Sequence, residues 1–302
     1  MPYLALLLLL LTTACRAPVV AQASTEPVPF ILDADTANEI DDLYAIAYLF
    51  AEEGVDWRGL TSAQWFHHMS GDSTVYQSQR LNEELLAVAG RMDLPHPRGA
   101  DTIMGHPWGG YDPRDSPAAR FIIEQARSAG AGKLVVMCIG ASTNLASAIA
   151  LAPDIKDKIR AYVLGFQYDT EGGFWNKDEF NIRRDLNAAN YLLNAEGLEL
   201  HIMSTSTARQ YQWQRDPTFE RLDRSGPIGA YLKARWETFA PGATSWIMWD
   251  VALLQAFLKP EQATEIQVTT PPENTRRQVW LYTDIDEEAM ARDFWQRLLS
   301  YP

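Results

Sequence analysis

The stretch PFILDADTANEIDDLYAI, residues 29–46, decides how the rest of the chain is read. Phe30, Ile31 and Leu32 form a short apolar run with the look of a buried strand, and from Leu43 to Glu53 apolar residues recur at helical spacing. Between them lie five carboxylates in ten residues: Asp33, Asp35, Glu39, Asp41 and Asp42. A run of acids is commonly a solvated face, but this one is bracketed by two apolar segments, so its members cannot all point to water. Crowded, partly buried carboxylates repel one another unless a cation joins them. An all-oxygen donor set suits a hard ion such as Ca²⁺ or Mg²⁺. An EF-hand loop is excluded, because Asn38 stands where the turn glycine belongs and Tyr44 where the bidentate glutamate belongs.

Outward from this stretch, short apolar runs alternate with amphipathic ones. Strands are predicted over 29–32, 55–62, 134–139, 159–165 and 198–203, and helices over 43–53, 74–90, 118–129, 145–151 and 188–195. This alternation specifies an α/β fold with an open, mostly parallel, Rossmann-like sheet and flanking helices. Beyond residue 204 the segments 247–258, 266–270 and 289–299 mix helix and strand in an order the pattern does not resolve. No Gly/Ser-rich linker or internal repeat divides the chain, which reads as one domain over 24–302. Ligands of open α/β sheets bind beyond the carboxyl ends of the strands, so the residues after Leu32, Leu60, Ile139 and Gly165 are where chemistry is sought.

The chain has 302 residues, 47% of them hydrophobic, and its 39 acidic against 26 basic side chains give a net charge of −13. That field repels nucleic acid and anionic membranes, which argues against polymeric DNA or RNA as a partner. The apolar run 1–11, followed by Ala21-Gln22-Ala23, has the form of a secretory leader cleaved after Ala23, which places the mature chain outside the cell or in a periplasm. The alternative is lipoprotein processing at Cys15, the one route to a membrane. Loss of the leader leaves Cys138 without a partner, in a segment that reads as a buried strand. A homo-oligomer is compatible with all of this.

At the acidic stretch the chain resembles the inosine-uridine-preferring nucleoside hydrolase family, whose first strand ends in D-x-D…D-D-x-x-A-I; here this is Asp33, Asp35, Asp41, Asp42, Ala45 and Ile46. Three further blocks follow in order. Gly140 to Ala146 is similar to the family's G-x-x-T-N-x-A turn, Glu179 to Ala189 to its E-F-N-I…D…A-A segment, and Trp249-Asp250-Val251-Ala252 to its H-D-x-x-A-V segment. The likeness runs from about residue 29 to 300. It implies that Asp35, Asp42 and Asp250, with the main-chain oxygen of Ile139, hold Ca²⁺. It also implies that Asp35 takes a proton from the attacking water, whose pKa the ion lowers. Asp41, Glu179 and Asn181 would bind sugar hydroxyls, while Asp33 and Asn38 would support these groups from behind. Attack at an anomeric carbon of oxocarbenium character gains from such a ring of carboxylates. Thr143 and Asn144 read mainly as caps for the helix that follows.

Three departures bear on the substrate. Trp249 stands where the family often has a His before the last metal-binding Asp, and Trp108, beside His106, falls where a second family His is expected. Both exchanges resemble the purine-preferring branch, in which two aromatic rings sandwich the base; His106 is the remaining candidate acid. Gly173 occupies the position of an Asn that binds the ribose 5′-hydroxyl, and the neighbouring Asn176 is the candidate substitute. The pair His67 and His68 reads as a loop at the pocket rim. The expected activity is therefore Ca²⁺-dependent hydrolysis of a nucleoside, a purine nucleoside first, or a related riboside. A non-catalytic Ca²⁺-dependent sugar or nucleoside binding protein is the second reading. A haloacid-dehalogenase-like phosphatase is a distant third, because Ala37 stands where those enzymes carry Thr or Val.

Overall fold

The structure, a computed structural model, describes residues 27–130 and 132–301; the expected leader 1–23, with Cys15, lies outside them. Strands follow in chain order as β1 (Val28–Ala34), β2 (Val55–Ser62), β3 (Leu134–Cys138), β4 (Ile159–Leu164), β5 (Gln167–Asp169), β6 (Phe174–Asn176), β7 (Glu199–Met203), β8 (Gln212–Gln214), β9 (Ser245–Ile247), β10 (Ala263–Thr269) and β11 (Gln278–Ile285). Seven of them form the central sheet, in the spatial order β10-β11-β7-β4-β3-β1-β2. Its strands pair in parallel except for the edge strand β10, which is antiparallel to β11. β5 pairs with β6, and β8 with β9, in two small antiparallel sheets.

Alternation along β1 assigns the two faces. Phe30 and Leu32 enter one core with helices Asp41–Phe50, Trp249–Leu258 and Glu287–Ser300, while Ile31 enters the opposite core with helices Pro117–Ser128, Thr143–Leu151 and Leu186–Asn194. Helices on both faces explain why β3 is apolar at every position, Cys138 included: no side of it meets water. The chain leaves β1 for β2 at one edge, then returns to place β3 on the other flank of β1 and winds on through β4, β7 and β11. The winding direction reverses at β1, which opens a crevice at the carboxyl ends of β1 and β3.

The predicted strand 55–62 is found with the same bounds, and the predicted helices begin one or two residues early or end within three of the expected limit. The last third resolves as helices Arg215–Leu222 and Gly226–Phe239, the helix Trp249–Leu258, and the pair β10–β11. Among the described residues no helix is long and apolar enough to cross a membrane.

Candidate metal and substrate site

Two helix starts meet over the carboxyl end of β1. Asp41 and Asp42 form the first turn of the helix Asp41–Phe50, and Asp250 lies in the first turn of the helix Trp249–Leu258. Acids are favoured at these positions because the unpaired N–H groups of a first turn carry partial positive charge. The two helices pack against each other, and the Asp250 main-chain N–H donates to Asp41 Oδ2 at 3.1 Å. One carboxylate oxygen from each of Asp41, Asp42 and Asp250 falls within 4.8 Å of the others. The trio that converges thus contains Asp41 where the sequence pattern pointed to Asp35. Asp35 stands beside it, at the turn that follows β1, and is 2% exposed.

Support comes from below. Asp33 is fully buried and accepts from Thr61 Oγ1 at 2.6 Å and from Asn144 Nδ2 at 2.9 Å. Asn144 Nδ2 also donates to the Ser62 carbonyl, and its Oδ1 accepts from the Ala100 N–H at 2.9 Å. Thr143 Oγ1 donates to Asp185 Oδ2 at 2.6 Å. Neither residue caps its helix, as the sequence pattern had suggested; both side chains tie the β3 turn to neighbouring segments. Gly140 in that turn is required by close approach, since a Cβ there would lie 2.7 Å from Cβ and Cγ of Asp35.

The electrostatics follow from burial. Loss of hydration pushes Asp33 up to about 6, with the Thr61 and Asn144 hydrogen bonds holding it from going further. Burial, and then the charge of Asp42, pushes Asp41 up to about 7; burial likewise takes Asp42 to about 7. Glu39 rises to about 8 through burial and the charge of Asp41. Asp35 and Asp250 are raised well above the carboxylate range by burial first and by their neighbours' charges second. Asp33 Oδ2, Asp35 Oδ2, Asp41 Oδ1 and Asp42 Oδ1 are buried with no hydrogen-bond partner. A cation meets both conditions at once, giving the orphaned oxygens a partner and cancelling the repulsion, and an all-carboxylate set fits a hard divalent ion.

Above the acids opens a cavity of about 250 Å³ lined by Asp35, Asn38, Glu39, Asp41, Asp42, Ile139, Asp178, Glu179, Asn181, Trp249 and Asp250, together with Leu164, Gln167, Phe180, Thr205 and Arg209. Asn181 Nδ2 donates to the Ile139 carbonyl at 2.8 Å, and Glu179 Oε2 accepts from the Ile182 N–H at 3.1 Å as the cap of a short helix. Burial raises the Glu179 carboxyl.

Three expected residues are not brought here. Trp108 is 84% exposed and stacks on His106 with ring centroids 5.0 Å apart, at the tip of a tight turn in which Gly105, Gly109 and Gly110 take positive φ. Both rings lie off the cavity wall, so Trp108 does not face Trp249 across it. Asn176 ends on the exposed side of β6, where its Nδ2 donates to Gln167 Oε1 at 3.2 Å; Gln167, its partner in the β5–β6 register, is the one that lines the cavity. Gln167, Thr205 and Arg209 were invisible to sequence reasoning because no spacing links them, and Phe180 was matched within its block without a role. One local signal accompanies them: the buried Phe166 holds φ at 64°, and its carbonyl accepts from both Thr205 N and Thr205 Oγ1.

Residues 30–293 match the family described as inosine-uridine preferring nucleoside hydrolase. Among curated relatives, a probable uridine nucleosidase 2 of Arabidopsis thaliana is 27% identical over 220 residues, covering 66% of each chain. The pyrimidine-specific ribonucleoside hydrolase RihB of Escherichia coli is 28% identical over 214 residues, again covering 66% of each. Among solved structures, the plant nucleoside hydrolase PpNRh1 superposes with a TM-score of 0.72 at 20% identity, covering 91% of this chain and 100% of that one. An inosine-guanosine nucleoside hydrolase gives a TM-score of 0.72 at 17% identity, covering 91% and 99%.

Proposed function

The chain belongs to the inosine-uridine preferring nucleoside hydrolase family, and from that footing we propose that it hydrolyses the N-glycosidic bond of a nucleoside, or a closely related riboside, with Ca²⁺ as its ion. The observation that carries the reading is the convergence of Asp41, Asp42 and Asp250 within 4.8 Å, beside buried carboxylate oxygens that lack partners. A bound divalent ion would supply the charge that lowers the pKa of the attacking water and anchors the vicinal hydroxyls of the sugar.

The chain's own residues do the rest. Asp42 and Asp250 of that trio would hold the ion, with Asp35 beside them and the Ile139 carbonyl, to which the Asn181 amide donates, while the third member, Asp41, is left for the sugar. Asp35, on the cavity wall at the turn after β1, would accept the proton of the attacking water. Asp41 binds one sugar hydroxyl. Asn181, with Nδ2 engaged, turns Oδ1 to another, and Glu179 uses the oxygen that its helix cap leaves free. The ring of carboxylates stabilises the positive charge that develops at the anomeric carbon. Trp249 and Phe180, both on the cavity wall, offer faces for stacking the base, which supports purine nucleosides as the first substrates to test. Pyrimidine nucleosides are the second, because two relatives carry uridine or pyrimidine specificity in their names.

The test is release of reducing sugar from inosine, adenosine, guanosine, uridine and cytidine. Turnover that EDTA abolishes, that Ca²⁺ restores and that Asp35→Ala removes is the expected result. Tight nucleoside binding without product would replace the hydrolase with a binding protein. Equal activity on purine and pyrimidine nucleosides would remove the purine preference alone.

A further inference from the structure

Seven acids line the cavity, and Arg209 is the one cation on its wall. Arg209 is exposed at the mouth of the cavity, and among the described residues its guanidinium makes no ion pair within 4.0 Å and donates no hydrogen bond, so it is free to meet a ligand that enters. Asp178 pairs with Arg183 at 2.9 Å, and Glu179 accepts from the Ile182 N–H. The backbone that carries Arg209 is anchored. The short helix before it receives the Tyr168 N–H on Ser206 Oγ at 3.1 Å and gives the Thr205 N–H to the Phe166 carbonyl at 2.9 Å. Arg209 thereby shares a wall with Gln167 of β5, in the sheet whose turn holds Gly173.

A neutral riboside has no use for a full positive charge, and its hydroxyls are met by carboxylates and amides alone. We propose that Arg209 is a specificity residue for a riboside that carries a phosphate on the sugar, received by the guanidinium fork at the wall formed with Gln167. This rests on the riboside reading above. The planar fork suits phosphate oxygens bidentately. The surrounding acids oppose an anionic substituent, so the preference depends on this one side chain.

Calorimetric titration of the full chain in Ca²⁺ with ribose 5-phosphate, and separately with ribose, tests the proposal without requiring turnover. The intact chain should bind ribose 5-phosphate at least about tenfold more tightly than ribose. The ratio should fall toward one in Arg209→Gln and be partly kept in Arg209→Lys, which retains charge without the fork. Equal binding of the two sugars, no binding of either, or a ratio untouched by Arg209→Gln would overturn it. Base release from inosine 5′-monophosphate against inosine reads the same preference through turnover. If neither yields base while the calorimetric ratio and its loss in Arg209→Gln hold, the hydrolase reading falls and the phosphate site stands.

Discussion

Asn144 touches three segments at once, holding Asp33 and the Ser62 carbonyl with Nδ2 and receiving the Ala100 N–H on Oδ1. It meets no ligand, yet it fixes the carboxylate behind the metal-binding group. Asn144→Ala should lower Ca²⁺ affinity roughly 10–100-fold, read by calorimetry; unchanged affinity would mean that Asp33 needs no such anchor. Trp108→Ala tests the opposite case. A ring stacked on the base would cost about 1–3 kcal/mol on removal, whereas an indole 84% exposed on a turn tip should leave kcat/KM for purine nucleosides unchanged. At this scale the sequence was legible where chemistry is contiguous. Asp33 to Asp42 declare themselves by crowding between two apolar runs, while Asp250 becomes visible only through the order of the family's blocks. His106, Trp108 and Asn176 were placed by counting positions through loops, and counting does not reveal which way a glycine-rich turn or a hairpin faces its side chains.

The turn between β3 and its helix carries more of the site than any other connection, since Gly140, Thr143 and Asn144 all lie in it. Gly140→Ala would drive a Cβ into Asp35. The expected outcome is a folded protein, judged by circular dichroism, with kcat/KM reduced by about tenfold or more, because a small misplacement of a catalytic group is costly. Asp185 is a second joint. It caps the helix Leu186–Asn194 through the Ala188 N–H and accepts from the Met104 N–H and Thr143 Oγ1. Asp185→Ala should lower unfolding stability by about 1–3 kcal/mol in a denaturant titration. Elements with a single exposed face or a wholly apolar run were readable from the chain, as β1 to β4 and the helices between them were. The helix Trp249–Leu258 was not: it is as buried as the helix Asp41–Phe50, but only the three-residue β9 precedes it where the clear apolar strand β1 sets the alternation for the other. β10 sits at a sheet edge with Thr264, Ile266 and Gln267 exposed, and that mixture of polar and apolar exposure hides it as a strand.

Across the whole molecule, the buried acids make stability depend on pH in an uncommon sense. Asp33, Asp41, Asp42 and Glu39 bind their protons more tightly folded than unfolded. Their stabilising contribution is therefore complete below about pH 4, the ordinary carboxylate value, and is lost as pH rises through 6 to 8. In EDTA, the melting temperature should be lower at about pH 8 than at about pH 5.5, each kcal/mol shifting it by roughly 2–4 °C. Ca²⁺ should raise it more at the higher pH. A metal-free melting temperature that climbs with pH would show that the acids are not confined as described. The contact between the Asp250 N–H and Asp41 spans 209 positions of the chain. The site is therefore assembled from the two ends of the chain, and is complete only once the helix that starts at Trp249 has docked on the one that starts at Asp41. A chain truncated before Asp250 would keep all of its early acids and lose the N–H that Asp41 accepts and the third carboxylate of the trio.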